Sequence, residues 1–142
     1  PGVPLTPGKE EGMGTNYYWF EKRHCECCGR AFGSRHIGKS SAGWVFHVHV
    51  YPDEGINTLE DWGKLIGKEG SYIEDEYGRT VDPHDMIDCI VDRTWNGNGW
   101  TEKSLRENGA ELGPNGLARA KISRYCVGHG EGTWDYHIGD FS

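Results

Sequence analysis

Three cysteines crowd into four residues, Cys25, Cys27 and Cys28, in the run His24-Cys25-Glu26-Cys27-Cys28-Gly29-Arg30. The Cys25-x-x-Cys28 pair can bind one tetrahedral ion, because the turn between the two residues brings both sulfurs to about 2.3 Å from a common centre. Gly29 then frees the backbone to fold back, as in a zinc knuckle. Two thiolates do not close a site. Cys126-x-x-His129 has the same spacing and would complete a set of three cysteines and one histidine, tying the first third of the chain to the last; His36, or the nearer His24 or Cys27, is the alternative donor. With all four positions filled, such a zinc is structural and activates no water. Without metal, the cysteines are small thiols. A single nucleophilic Cys25 or Cys27 is the weaker reading, since adjacent thiols suit ligation better than one tuned thiolate.

A second cluster is His47-x-His49. On a strand the two imidazoles share a face about 7 Å apart, a spacing that can grip an ion or flank a substrate. A metal-dependent hydrolase built on them needs a third ligand, for which His84, His137 and Asp135 are candidates. Gly33-Ser34-Arg35-His36-Ile37-Gly38-Lys39-Ser40 matches the Walker A phosphate-loop pattern letter for letter. A phosphate loop joins a buried strand to a helix N-terminus. This segment instead follows the cysteine turn and runs through Ala42-Gly43 into a strand, which argues for a turn and against nucleotide hydrolysis. The residue types suit a smaller role, and Arg30, His36, Lys39, Ser40 and Ser41 form a candidate binding set for a small anion or a partner protein. In Trp95-Asn96-Gly97-Asn98-Gly99-Trp100, two large rings either close over a ligand or tuck into the core edge.

The elements that would position these groups are short. Thr15–Phe20 and Gly43–Tyr51 read as strands, the second with Trp44, Phe46, Val48 and Val50 on one face and Val45, His47, His49 and Tyr51 on the other. Thr58–Gly67 reads as a helix with Leu59, Trp62, Leu65 and Ile66 inward; Asp82-Pro83 opens a second, with Met86, Ile87, Ile90 and Val91 inward. Ser71–Glu76 and Arg79–Val81 are short strands. Trp95–Gly116, with five glycines, reads as a long Gly-rich loop with one short helical piece around Ser104; Ala118–Cys126 and Thr133–Ile138 read as the last strands, separated by a turn over Gly128–Gly132. The expected fold is α+β: a small curved antiparallel sheet with two helices against one face, a zinc-knuckle-like turn and one long loop. Residues 1–14 form an extended arm or linker and residues 15–142 a single domain.

Composition agrees with a stapled small core. The 142 residues include 22 glycines and six tryptophans, and only 35% are hydrophobic, with mean hydropathy −0.72. A structural metal supplements such a sparse interior. The net charge of −7 and scattered basic residues disfavour nucleic-acid binding. No apolar run is long enough for a membrane helix, and five cysteines, three of them clustered, do not make a disulfide framework. The chain thus reads as cytosolic, with reduced thiols.

Gly14-Thr15-Asn16-Tyr17-Tyr18, Cys25-x-x-Cys28-Gly29-Arg30, His36-Ile37-Gly38-Lys39-Ser40-Ser41-x-Gly43-Trp44-x-Phe46, Asp75-Glu76-Tyr77-Gly78-Arg79 and the closing Gly139-Asp140-Phe141-Ser142 together resemble a family of small, mostly uncharacterised proteins of tailed bacteriophages. The resemblance spans most of residues 13–142. It implies a phage source and a start near Met13, and it brings no activity, substrate or catalytic residue with it. The expectation that follows is a zinc-stabilised accessory protein, not an enzyme, acting in the host cytoplasm on a host protein or small anionic ligand. The alternatives are a metal-dependent hydrolase using His47 and His49, or a virion component docked through its arm.

Overall fold

The computed structural model describes residues 14–21, 33–97, 99–121 and 124–141. Cys25, Cys27, Cys28, His24, Arg30 and the arm over residues 1–13 lie outside the described residues.

The class is α+β, with a seven-stranded sheet in the order β5-β4-β1-β2-β3-β9-β8. These strands are β1 (Thr15–Glu21), β2 (Ser34–Ser40), β3 (Phe46–Val50), β4 (Ser71–Asp75), β5 (Thr80–Val81), β8 (Cys126–His129) and β9 (Trp134–Ile138); β6 (Ala110–Leu112) and β7 (Ala118–Ala120) form a separate hairpin. The helices are α1 (Leu59–Ile66), α2 (Pro83–Val91) and the short α3 (Glu102–Glu107). The sheet is mixed, not antiparallel as the sequence suggested, because β9 lies parallel to β3. Parallel neighbours need a long crossover, and the whole stretch from β3 to β9, with both main helices, supplies it.

One face of the sheet carries the core. Trp19, Ile37, Phe46, Val48 and Ile73 meet Trp62 and Ile66 of α1 and Met86 and Ile90 of α2. Each helix starts where its sequence says. Thr58 and Asp61 form a reciprocal capping box, and the Asp82 side chain accepts from the His84 and Asp85 N–H groups ahead of Pro83. The indoles lock the layers together: Trp62 Nε1–H donates to the His49 carbonyl at 2.8 Å and Trp19 Nε1–H to the Leu65 carbonyl at 2.9 Å.

Three sequence expectations change here. The Walker-like segment is strand β2, with no helix behind it, so it is neither a phosphate loop nor a turn. The long loop Trp95–Gly116 holds α3 where a short helical piece around Ser104 was expected, but it also contains strand β6, and Trp100 docks at the core edge: its Nε1–H donates to the Gly43 carbonyl at 3.0 Å and its ring meets Trp44 edge-on at 5.1 Å. The proposed last strand divides into β7 and β8, and β8 takes in part of the expected glycine turn.

The pairing of β1 with β2 shifts register between Tyr17 and Tyr18, which oppose Gly38 and His36, so Ile37 is an extra, bulged residue. The bulge turns Ile37 into the core and His36 to the opposite face, where strict alternation would have done the reverse. Gly38 is required beside it. A Cβ there would lie 2.1 Å from the His47 carbonyl oxygen and 2.4 Å from the Phe46 ring. Gly38→Ala should therefore destabilise the fold by about 3 kcal/mol, the upper end for overpacking. An unchanged midpoint in urea denaturation would contradict this approach of β2 to β3.

Candidate functional site

The face of the sheet away from the helices gathers polar aromatic groups instead of aliphatics. β3 presents His47 and His49 there, and the parallel register sets Asp135 beside His47 and His137 beside His49. On the other side of β9, Cys126 pairs with His137 and His129 with Asp135. The bulge adds His36, and β1 adds Asn16 and Tyr18.

Four of these five imidazoles form two couples. His47 Nδ1 and His137 Nε2 are 2.9 Å apart, and so are His36 Nδ1 and His49 Nδ1. His47 and His49, the pair singled out from sequence, therefore share a face but each takes a different partner. The Phe141 ring sits over all four, with centroid distances of 4.9 Å to His36, 5.2 Å to His49, 5.3 Å to His137 and 6.2 Å to His47.

The tautomer of His36 follows from its neighbours. Asn16 donates to Glu76 Oε1 through its backbone N–H at 2.7 Å and its side-chain Nδ2 at 3.3 Å, which leaves the Asn16 Oδ1 acceptor facing His36 Nε2 at 2.7 Å. His36 thus carries its proton on Nε2 and a lone pair on Nδ1, and it accepts from His49 Nδ1–H. The Tyr51 hydroxyl accepts from the His36 N–H at 2.9 Å and donates to its carbonyl at 3.1 Å, while its ring stacks on His49 at 4.2 Å.

Asp135 lies beside the His47–His137 couple. Its side chain is fully buried, its Oδ1 accepts from His129 Nδ1–H at 2.5 Å, and its Oδ2 accepts from the Ala120 N–H of β7 at 3.2 Å. One donor atom each from His47, Asp135 and His137 lies within 4.8 Å of the other two, and the same holds for Cys126, His129 and Asp135. Donors on a tetrahedral zinc with bonds of about 2.0–2.1 Å stand roughly 3.3 Å apart. The 2.9 Å between His47 Nδ1 and His137 Nε2 is within a few tenths of that spacing. Several groups of His, Cys and Asp side chains can thus hold a metal ion. His84 stands apart from this face: it is exposed on α2, 3.3 Å from Asp88, and with Asp85 and Asp88 makes a third, fully exposed group of donors.

Burial keeps these imidazoles neutral, the state that binds metal. Desolvation, then the neighbouring His49, bring His36 down to about 4, and desolvation, then His137, bring His47 down to about 3; His49 and His137 are lowered chiefly by burial too. The sign of the consequence is fixed. A histidine whose folded pKa lies below its unfolded value contributes fully above the unfolded pKa of about 6.5, and that stability is lost as pH falls toward the folded pKa. Metal-free protein should lose stability from about pH 6.5 down to about 3 through His47, at up to about 1.4 kcal/mol per pH unit, and down to about 4 through the more exposed His36, by less. Urea denaturation across that range checks it, and a flat profile would contradict the burial of both rings.

Of the groups marked from sequence, Cys126 and His129 come together and take Asp135 as a third partner; Cys25 and Cys28, their supposed partners, lie outside the described residues. Burial raises the Cys126 thiol, and its Sγ–H donates to the Gly128 carbonyl at 3.5 Å, which makes it a poor nucleophile. Within the anion-binding set, Arg30 is outside the described residues, and His36 has both ring nitrogens engaged. Ser41 turns the chain away from β2, its carbonyl accepting from the Trp44 N–H and from Arg93. Sequence reading did not mark Asn16, Tyr51, Asp140 or Phe141 as site residues. The alternation Asp135-x-His137 opposite His47-x-His49 was the available signal, but only with the parallel register known. Among the described residues no helix is long and apolar enough to cross a membrane. Searches of protein-family models, curated proteins and solved structures return no match to this chain.

Proposed function

We propose that this is a zinc-stabilised binding protein, in which the ion fastens β3 to β9 through His47, Asp135 and His137 and the open end of the histidine face receives a ligand. The observation that carries the reading is Asp135, a carboxylate with no solvent exposure that is shared between two donor groups. Buried carboxylates are retained when paired or when they coordinate metal. Imidazole and carboxylate donors beside a thiol suit zinc among the common divalent ions. The burial of Asp135 and the ring of Phe141 over the imidazoles favour a structural ion over one that works on substrate. The Cys25-x-x-Cys28 pair remains a sequence-based proposal for a further contribution to zinc binding. The resemblance to tailed-phage proteins supports an accessory role in an infected host.

Zinc-dependent hydrolysis is the second reading, favoured by one observation: His47, Asp135 and His137 are three donors, the number a catalytic site uses while keeping a position open. Bound there, zinc would supply a Lewis acid and lower the pKa of a bound water. Elemental analysis of the purified full chain, with its Cys25→Ala/Cys28→Ala and His137→Ala variants, tests the first reading. Bound zinc that survives the cysteine changes and is lost with His137 supports it; zinc lost only with the cysteines, or no zinc at all, overturns it. Turnover of phosphodiester substrates by zinc-loaded protein, abolished in His47→Ala, would move the conclusion to hydrolysis.

A further inference from the structure

Beside the buried donors lies an open pocket of about 350 Å³ lined by Tyr18, His36, Asp140 and Phe141. We propose that this pocket is an aromatic cage for an alkylammonium cation, quaternary ammonium groups above all. The proposal rests on the binding-protein reading but not on the ion.

Three of the four lining residues are rings set obliquely to one another. Tyr18 and His36 are 5.3 Å apart and tilted by 47°, and His36 and Phe141 are 4.9 Å apart at 69°. Rings so inclined make the walls of a cup instead of a closed stack. His36 cannot offer a hydrogen bond to a ligand, because its Nε2–H is held by Asn16 and its Nδ1 by His49. What it has left is a neutral π face. A cup of π faces attracts a cation through the ring quadrupoles, and it suits best a cation that demands no hydrogen bonds, which is the chemistry of a methylated ammonium.

The fourth lining residue gives the sign. Asp140 is exposed at the pocket, and no described lysine or arginine forms a salt bridge with it. Its field reaches His36, His49 and Tyr51, and at His36 it exceeds the opposing field of Lys39. The chain's net charge of −7 points the same way. An anionic ligand at this pocket would face that carboxylate with no free ring N–H from His36 to receive it.

Titrating choline chloride into the full chain, by calorimetry and by amide NMR shifts, tests the cage. Choline should bind saturably with a millimolar or lower Kd, and 3,3-dimethylbutanol, its uncharged isostere, at least about tenfold more weakly. Asp140→Asn, a surface change that leaves the rings in place, should weaken choline about fivefold. Phosphatidylcholine vesicles form a second arm. Sedimentation of the protein with them, reversed by free choline, identifies a lipid headgroup as the source, whereas binding of choline alone identifies a free ligand or side chain; either supports the cage. Equal binding of choline and its isostere, no saturable choline response, an unchanged Kd in Asp140→Asn, or inorganic phosphate shifting the pocket amides where choline does not would overturn it. None of these readouts depends on zinc, so failure here is distinguishable from failure of the metal reading.

Discussion

On the proposed zinc site, His137→Ala should bind zinc at least about a thousandfold more weakly than the parent chain, since losing even an outer-sphere partner of a zinc ligand costs about 10–100-fold and His137 would contribute a donor atom itself. The energetic consequence is large because no equivalent site exists in the unfolded chain, so the free energy of ion binding is folding free energy. At free zinc a thousandfold above the parent Kd, the ion adds about 4 kcal/mol to the parent and almost nothing to the variant. For a chain of this length that is about 10 °C of thermal midpoint. His84→Ala is the matched comparison, because it removes a histidine from the exposed donor group on α2, with Asp85 and Asp88, and leaves the buried donors intact. Thermal denaturation with and without chelator reads the difference. The parent should lose the full increment on chelation, His84→Ala should lose the same, and His137→Ala should show almost none. Equal chelator sensitivity in all three proteins would remove His137 from the ion.

The helices and the central strand were legible because each is set by local chemistry. Thr58 and Asp82 cap helices whose inward residues follow the helical period, and Phe46, Val48 and Val50 alternate with His47 and His49 as a two-faced strand must. The histidine face was only half legible, because two nonlocal facts decide it. One is the bulge at Ile37, which inverts the parity of β2, so that His36 joins the face of His49 although counting by twos from Gly38 puts it in the core. The other is the parallel placement of β9 beside β3. His137 and Asp135 were recognisable as possible ligands, but the distance along the chain from His47 left their position undetermined until the crossover was known. Cys126-x-x-His129 marks two groups whose donor atoms lie close together, while the third donor beside them, Asp135, sits on the adjacent strand and not in the motif.

Asp135→Asn should lower the stability of metal-free protein by about 2–4 kcal/mol, although the substitution changes almost no volume. Counting donors and acceptors gives the reason. The two Asp135 oxygens accept from His129 Nδ1–H and from the Ala120 N–H, and the side chain has no access to water. Asparagine keeps one acceptor and replaces the other with an NH2 group, so whichever way it turns, one buried donor faces another. An unsatisfied buried polar group costs about 1–3 kcal/mol, and the charge-assisted share of the His129 contact is lost as well. His129 could relieve part of this by moving its proton to Nε2 and accepting from the new amide, which would leave the backbone donor of Ala120 satisfied by the remaining oxygen. That escape is testable through His129→Leu in the Asp135→Asn background, which offers the new amide no acceptor: if the tautomer shift rescues the contact, the double variant should be less stable than Asp135→Asn alone. Urea denaturation in chelator separates this cost from any loss of zinc. A cost below about 0.5 kcal/mol, the scale of ordinary surface changes, would mean that Asp135 does not tie β8, β9 and the β6–β7 hairpin together as a buried acceptor.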